Sequence, residues 1–232
     1  KDAGFNEEIA VPICVADNMP ATFTVTSGDG TNYVRVQVSE TTTVTPAGGT
    51  SIRIGSSGEF VTTPLTLAAN TDQDIYFKGA GSLTIPQRKL VTYLYLYGLG
   101  SSVITGDITG MKLTFLHLIN LGSSVITGDI TGMKKLTFLY LSSLGSSVIT
   151  GDITGMGLTI LRLNNIGSSL SYGTNPLNIT NTSGIQLVGN TVFATAAEYA
   201  QLIHDAAIAT WGGAYPFRID AGTNDNCPDW DT

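Results

Sequence analysis

Between Val91 and Leu163 apolar side chains recur at a fixed rhythm. They fill the first, fourth, sixth and ninth positions of a unit whose clearest copy carries Leu113, Leu116, Leu118 and Leu121. Copies start at Val91, Leu113, Leu136 and Leu158, with spacings of 22, 23 and 22 residues. Strand alternation sends Leu116 and Leu118 to one face and Phe115, His117 and Ile119 to the other. The rest of each unit adds Val125, Ile126, Ile130 and Met133 or their equivalents, each contributing roughly 1.5–3 kcal/mol when buried. A period in the low twenties fits one strand plus a return path per coil. No coil can bury its apolar face alone, so the pattern predicts stacked coils with a cap at each end.

The flanks read differently. Residues 1–72 show short alternating runs, Ala21–Thr26 and Tyr33–Val38 among them, punctuated by Asp29-Gly30, Gly48-Gly49 and Ser57-Gly58. That spacing predicts a small antiparallel, sandwich-like domain. Residues 73–232 then form the solenoid, with 73–90 as N-terminal cap coil, 91–184 as repeats and 185–232 as C-terminal cap. Within the cap coil Ile75–Lys78 reads as the strand and Ser82–Pro86 as an echo of the return segment. In the C-terminal cap, Ile185–Val188 reads as a strand, and Thr195 with Glu198 forms a capping box. The helix it opens carries Tyr199, Leu202, Ile203 and Ala206 on one stripe and ends at Gly212-Gly213; Phe217–Ile219 is the next parallel strand. The close at Asp229-Trp230-Asp231-Thr232 resembles the start of another helix, so the natural chain is expected to continue. No charged-then-apolar leader opens at Lys1, and any secretion signal is expected to have been removed or to lie outside this sequence.

The repeats resemble the leucine-rich repeat family. The L-x-x-L-x-L motif stands as Leu113-Thr-Phe-Leu116-His-Leu118, Leu136-Thr-Phe-Leu139-Tyr-Leu141 and Leu158-Thr-Ile-Leu161-Arg-Leu163, with Val91 replacing the first Leu of copy one. ITGDI, first at Ile104–Ile108, is similar to the L-T-G-x-I-P segment of plant-type members, without the Pro. The Asn that usually closes the strand motif is replaced by Leu99, Leu121, Leu144 and Ile166. The resemblance implies a mostly β fold, a solenoid with a parallel sheet between the N-terminal antiparallel domain and a strand-helix-strand cap. Proteins of bacterial surfaces and phage fibre or decoration proteins carry such solenoids, which implies display on a cell surface or virion.

The copies are nearly letter-for-letter identical except at outward strand positions. The first outward column reads Tyr93, Phe115, Phe138, Ile160; the second Tyr95, His117, Tyr140, Arg162; the third Tyr97, Ile119, Ser142, Asn164. Strands about 4.8 Å apart would merge these columns into one aromatic-rich face. Such side chains give large contact area at little entropy cost, which suits binding of a protein or glycan on a cell surface, or of neighbouring subunits in an assembly. Stacked aromatics that only stabilise the sheet are the plainer alternative.

Composition narrows the rest. Only 12% of the 232 residues are charged while 42% are hydrophobic, which excludes a disordered chain. A net charge of −7 argues against nucleic acid as partner. No apolar run approaches the roughly 18 residues of a membrane span, so no membrane insertion is expected. No nucleophile elbow, zinc motif, phosphate loop or dinucleotide fingerprint occurs, and the two histidines, His117 and His204, have no motif partners. The reading is therefore non-enzymatic, without cofactor or metal. Asp107, Asp129 and Asp152 form a column that reads as turn residues rather than a Ca²⁺ site, as does the group Asp220, Asp225, Asp229 and Asp231. Cys14 and Cys227 flank the coils too far apart for an intramolecular disulfide unless the flanks fold back. Asn178-Ile-Thr180 and Asn181-Thr-Ser183 are glycosylation sequons.

Overall fold

A computed structural model describes residues 19–166, 169–173, 181–182, 184–188, 193, 195–208, 210–211 and 218–220. The strands are β1 (Ala21–Val38), β2 (Thr42–Gly48), β3 (Ser51–Ile54), β4 (Leu65–Leu67), β5 (Gln73–Ile85), β6 (Val91–Tyr97), β7 (Val103–Asp107), β8 (Phe115–Ile119) and β9 (Val125–Asp129). They continue as β10 (Phe138–Ser142), β11 (Val148–Asp152), β12 (Ile160–Asn164), β13 (Leu170–Ser171), β14 (Asn181–Thr182) and β15 (Gly184–Val188). Helix α1 (Ala196–Ile208) precedes β16 (Thr210–Trp211) and β17 (Arg218–Asp220). The parallel strands wind a β-solenoid of about four turns.

Each coil contributes two strands. The L-x-x-L-x-L strands pair in parallel in the order β6-β8-β10-β12, continued by β15 and β17, and the VITGD segments pair as β7-β9-β11, continued by β13. The return path is thus itself extended, as its β-branched Val-Ile-Thr run favours. Register repeats without slip: Leu94, Leu116, Leu139, Leu161 and Ile185 stand opposite one another, as do Leu96, Leu118, Leu141, Leu163 and Leu187. All of these are buried, and Ile104, Ile126 and Ile149 meet them from the opposite ladder.

The N-terminal strands are antiparallel, but the expected division at residue 72 is not where hydrogen bonding stops. β1 bends so that Phe23–Ser27 pairs with β7 and Arg35–Val38 pairs with β6, closing the leading edge of both ladders. β5 follows β1 along nearly its whole length on the far side, and β2 and β3 pair with β5. The Asp29-Gly30 pair is therefore a bend inside one strand, marked by register irregularities, and not a hairpin turn. The cap coil expected at 73–90 is mostly one bent strand, β5, separated from the first repeat by β1. Its bend requires glycine: Gly79 has φ 88°, and a Cβ there would lie 2.2 Å from the Gly49 carbonyl oxygen. Asp29 pins the matching bend of β1 to the solenoid, accepting hydrogen bonds from Thr31 N (2.8 Å), Thr31 Oγ1 (2.6 Å) and Ser101 Oγ (2.6 Å). Those donors hold its carboxyl well below the usual range.

Polar side chains also stack. After each face strand the chain turns through a left-handed residue: Gly98, Asn120, Ser143 and Asn165, with φ between 50° and 53°. The amides of Gly98, Asn120 and Ser143 donate to carbonyls of the following coil at 3.0–3.1 Å. A second ladder is buried: Ser124 Oγ accepts from Ile104 N at 3.1 Å, and Ser147 Oγ accepts from Ile126 N at 2.8 Å while donating to Ser124 O at 3.1 Å. Thr114, Thr137 and Thr159 form a third ladder, each hydroxyl donating to the threonine carbonyl one coil earlier at 3.0–3.1 Å. Ser143 is the one turn residue in this set that is neither Gly nor Asn, and a left-handed backbone costs it more. Ser143→Asn should therefore raise unfolding free energy by about 0.5–1 kcal/mol in urea titration; an unchanged midpoint would contradict that account.

At the far end β15 pairs with β12, β17 pairs with β15, and α1 makes the crossover, as the strand-helix-strand reading expects. The capping box is formed: Thr195 N and Oγ1 both donate to Glu198 Oε2 at 2.9 Å, and Glu198 N donates to Thr195 Oγ1 at 3.4 Å. Tyr199, Leu202 and Ala206 are buried and Ile203 is half-buried. The helix ends at Ile208, earlier than the expected stop at Gly212-Gly213, because Thr210–Trp211 already pairs with β14. Gly212, Gly213 and Phe217 lie outside the described residues. Asp205 is fully buried on the inner side of α1, where it accepts from Tyr172 Oη at 2.6 Å and Gln201 Nε2 at 2.8 Å.

Candidate functional site

The face strands β6, β8, β10 and β12 bring the outward columns into register. Tyr93, Phe115, Phe138 and Ile160 stand directly opposite one another, as do Tyr95, His117, Tyr140 and Arg162. All eight side chains are half-buried. In the first column Tyr93 and Phe115 stack with centroids 4.1 Å apart at 9°, and Phe115 and Phe138 at 4.0 Å and 14°. Ring faces are thus consumed by neighbours, leaving ring edges toward solvent. The second column is tilted: His117 lies 4.5 Å from Tyr95 and 4.9 Å from Tyr140, at 50° and 44°. Arg162 completes it, with its guanidinium 5.6 Å from the Tyr140 centroid.

The third column departs from expectation. Tyr97 is 55% exposed, but Ile119 and Ser142 are only 8% and 6% exposed. Both sit between strands on either side, whereas β1 pairing runs out at Arg35 opposite Tyr95 and leaves Tyr97 with one open flank. Asn164 is half-buried. Ile119 and Ser142 therefore pack within the face and offer little surface to a partner.

The face continues where the repeats do not. Arg35 stands opposite Tyr95, Tyr33 opposite Tyr76, and Arg53 opposite Tyr76. Arg35 places its guanidinium 5.5 Å from the Tyr33 ring and 5.6 Å from the Tyr95 ring, while Nε and Nη2 donate to Asp74 at 2.5 and 2.9 Å. Arg53 lies 4.6 Å from Phe60 and 5.0 Å from Tyr76. A band of aromatic and guanidinium groups thus runs from Phe60 to Arg162. Sequence reasoning missed its N-terminal half; the available signal was the alternation Tyr33-x-Arg35 and Asp74-x-Tyr76.

Electrostatics fix the protonation of this band. Burial raises the Tyr93 and Tyr95 phenols, so both remain hydroxyl donors. Burial, reinforced by Arg162, pushes His117 down to about 4, and its buried Nε2 has no hydrogen-bond partner among the described residues. Folded His117 is neutral where the unfolded chain, with a pKa of about 6.5, takes up a proton. Stability from this residue is complete above about pH 6.5 and is lost as pH falls toward about 4. His117→Phe should abolish that loss, on the order of 1–2 kcal/mol after allowing for partial exposure, in urea titrations at pH 7 and pH 4.5. Equal acid sensitivity of the two proteins would refute the assignment.

The other candidates are structural where described. Asp107, Asp129 and Asp152 each accept from the amide two residues on, at 2.8–2.9 Å. Their own column is tied by threonine, since Asp129 N donates to Thr109 Oγ1 and Asp152 N to Thr131 Oγ1. Asp220 closes β17; Asp225, Asp229, Asp231, Cys14, Cys227, Asn178, Thr180 and Ser183 lie outside the described residues, and Asn181 opens β14. His204 is exposed, its Nδ1 3.3 Å from Asp205 Oδ1. Among the described residues no group of three or more His, Cys, Asp and Glu side chains is placed to hold a metal ion, and no helix is long and apolar enough to cross a membrane.

These features define a β-solenoid with one aromatic and cationic sheet face. No family model, curated protein or solved structure matches the chain.

Proposed function

We propose that this chain is a non-enzymatic recognition module of the leucine-rich-repeat kind, displayed outside the cell on a bacterial surface or a phage particle. It binds its partner through the outward face of β6, β8, β10 and β12. One observation carries the reading: coils whose scaffold repeats almost unchanged differ at these positions, and those positions stand side by side in register. Edge-out packing of the first column favours a protein partner over a glycan, because sugars stack on exposed ring faces. The Tyr hydroxyls and Arg162 supply the polar rim that protein interfaces use.

A purely structural role, as decoration or spacer, draws support from the same ring stacking at 4.0–4.1 Å, since such contacts stabilise a sheet by themselves. An inhibitor of a secreted enzyme would use the same face. The test is the triple variant Tyr95→Ala, Phe115→Ala and Tyr140→Ala, compared with the parent in pull-downs from bacterial surface extract and on a glycan array. Recognition requires captured partners to fall at least about tenfold while the folded spectrum is kept. Unchanged capture with lost assembly would favour the spacer.

A further inference from the structure

Basic residues are few in this chain, and they are not evenly placed. Five of its eleven lysines and arginines, Arg88, Lys89, Lys112, Lys134 and Lys135, sit at successive corners where the chain enters β6, β8 and β10. The third corner, before β10, carries two lysines because the coil leading to it is one residue longer, and the next corner has Gly157 instead, ending the row. Lys112, Lys134 and Lys135 are exposed and rim a cleft of about 420 Å³ that is also lined by Leu113, Gly132 and Met133. A second cleft of about 240 Å³ shares Lys112, Gly132 and Met133 and extends to Thr109 and Asp129. Arg88 anchors the start of the row, donating to Thr109 O at 2.5 Å with Asp107 at 3.6 Å, and Lys134 donates to Thr154 O at 3.0 Å.

We propose that this corner is a binding site for an anionic polysaccharide, distinct from the aromatic face. Coils about 4.8 Å apart set out a linear row of positive groups at a pitch suited to a polymer with one acidic group every sugar or two. The surface of the larger cleft is mostly apolar, which suits the C–H faces of sugar rings. Nucleic acid fits less well: the charge of duplex DNA recurs every ~1.7 Å along its axis, far closer than the coil pitch, and none of the residues lining the two clefts is aromatic, so no base of a single strand could stack there.

Dextran sulfate carrying about one sulfate per sugar, neutral dextran and a single-stranded oligonucleotide serve as probes, titrated into the whole chain by calorimetry at about 50 and 200 mM salt. Dextran sulfate should bind, weaken at least about tenfold at the higher salt, and lose at least about tenfold in affinity in the variant Lys112→Gln, Lys134→Gln, Lys135→Gln. Lys78→Gln, on the exposed side of β5, should bind as the parent does. Lysine acetylation of the unaltered chain gives an independent reading, with Lys112, Lys134 and Lys135 protected by dextran sulfate and Lys78 not. No binding by the parent, equal binding by the triple variant, or no selective protection would each overturn the proposal. An oligonucleotide that binds as tightly as dextran sulfate would overturn the choice of polysaccharide.

Discussion

Phe23→Ala should lower the free energy of unfolding by about 3–5 kcal/mol and make the protein self-associate. Phe23 is buried on the inner side of β1, opposite Leu83 of β5 and Gly106 of β7. Its ring occupies the space Gly106 leaves open, where a Cβ would lie 2.6 Å from the ring. Truncation thus removes the ring from a site whose partner has no side chain to move in, and the cavity adds to the lost transfer energy. The second consequence follows from topology. Among the described residues β1 alone covers the leading edge of both the β6 and the β7 ladders, so loosening it uncovers two rows of unpaired amides and carbonyls. Urea titration measures the first effect and light scattering after size-exclusion chromatography the second. Thr24→Ala, one residue on and outward-facing, should stay within about 0.5 kcal/mol of the parent and remain as dispersed. A Phe23→Ala loss below about 1 kcal/mol would mean that β1 is not the element that seals the coils.

The same strand marks the limit of what the sequence discloses. Coil positions, the inward leucines, the outward columns and the capping box of α1 follow from local periodicity, because each neighbour of a repeat is another copy with the same side chains. Pairing of β1 with β6 and β7 is non-local, and Asp29-Gly30 carries the composition of a turn although the chain continues through it. Once β1 is taken for a sandwich strand, Tyr33 and Arg35 have no reason to join Tyr95. Exposure of the third column failed for a related reason. Alternation gives the side of the sheet on which Ile119 and Ser142 point, but flanking strands decide whether water reaches them, and only the first coil has an open flank at that height. The function of the variable face rests on chemistry that periodicity cannot name.

The serine ladder gives the second large effect and separates two residues that the sequence writes as equals. In every G-S-S segment the two serines look interchangeable, yet Ser123 is exposed and Ser124 is fully buried. Ser124 Oγ accepts the Ile104 amide at 3.1 Å and accompanies a donation to Ser102 O at 3.5 Å. Alanine at 124 leaves the Ile104 amide buried without a partner, and the cost of that orphaned donor is about 1–3 kcal/mol. Alanine at 123 removes only a solvated hydroxyl and should change stability by less than about 0.5 kcal/mol. Ser147→Ala should repeat the larger loss, because its Oγ accepts the Ile126 amide at 2.8 Å and donates to Ser124 O at 3.1 Å. Since Ser124 and Ser147 belong to one hydrogen-bonded column, the double variant should cost less or more than the sum of the single losses, by about 0.5 kcal/mol or beyond. Equal effects at Ser123 and Ser124 in urea titration would remove the ladder as a source of stability and leave the apolar columns alone to hold the coils in register.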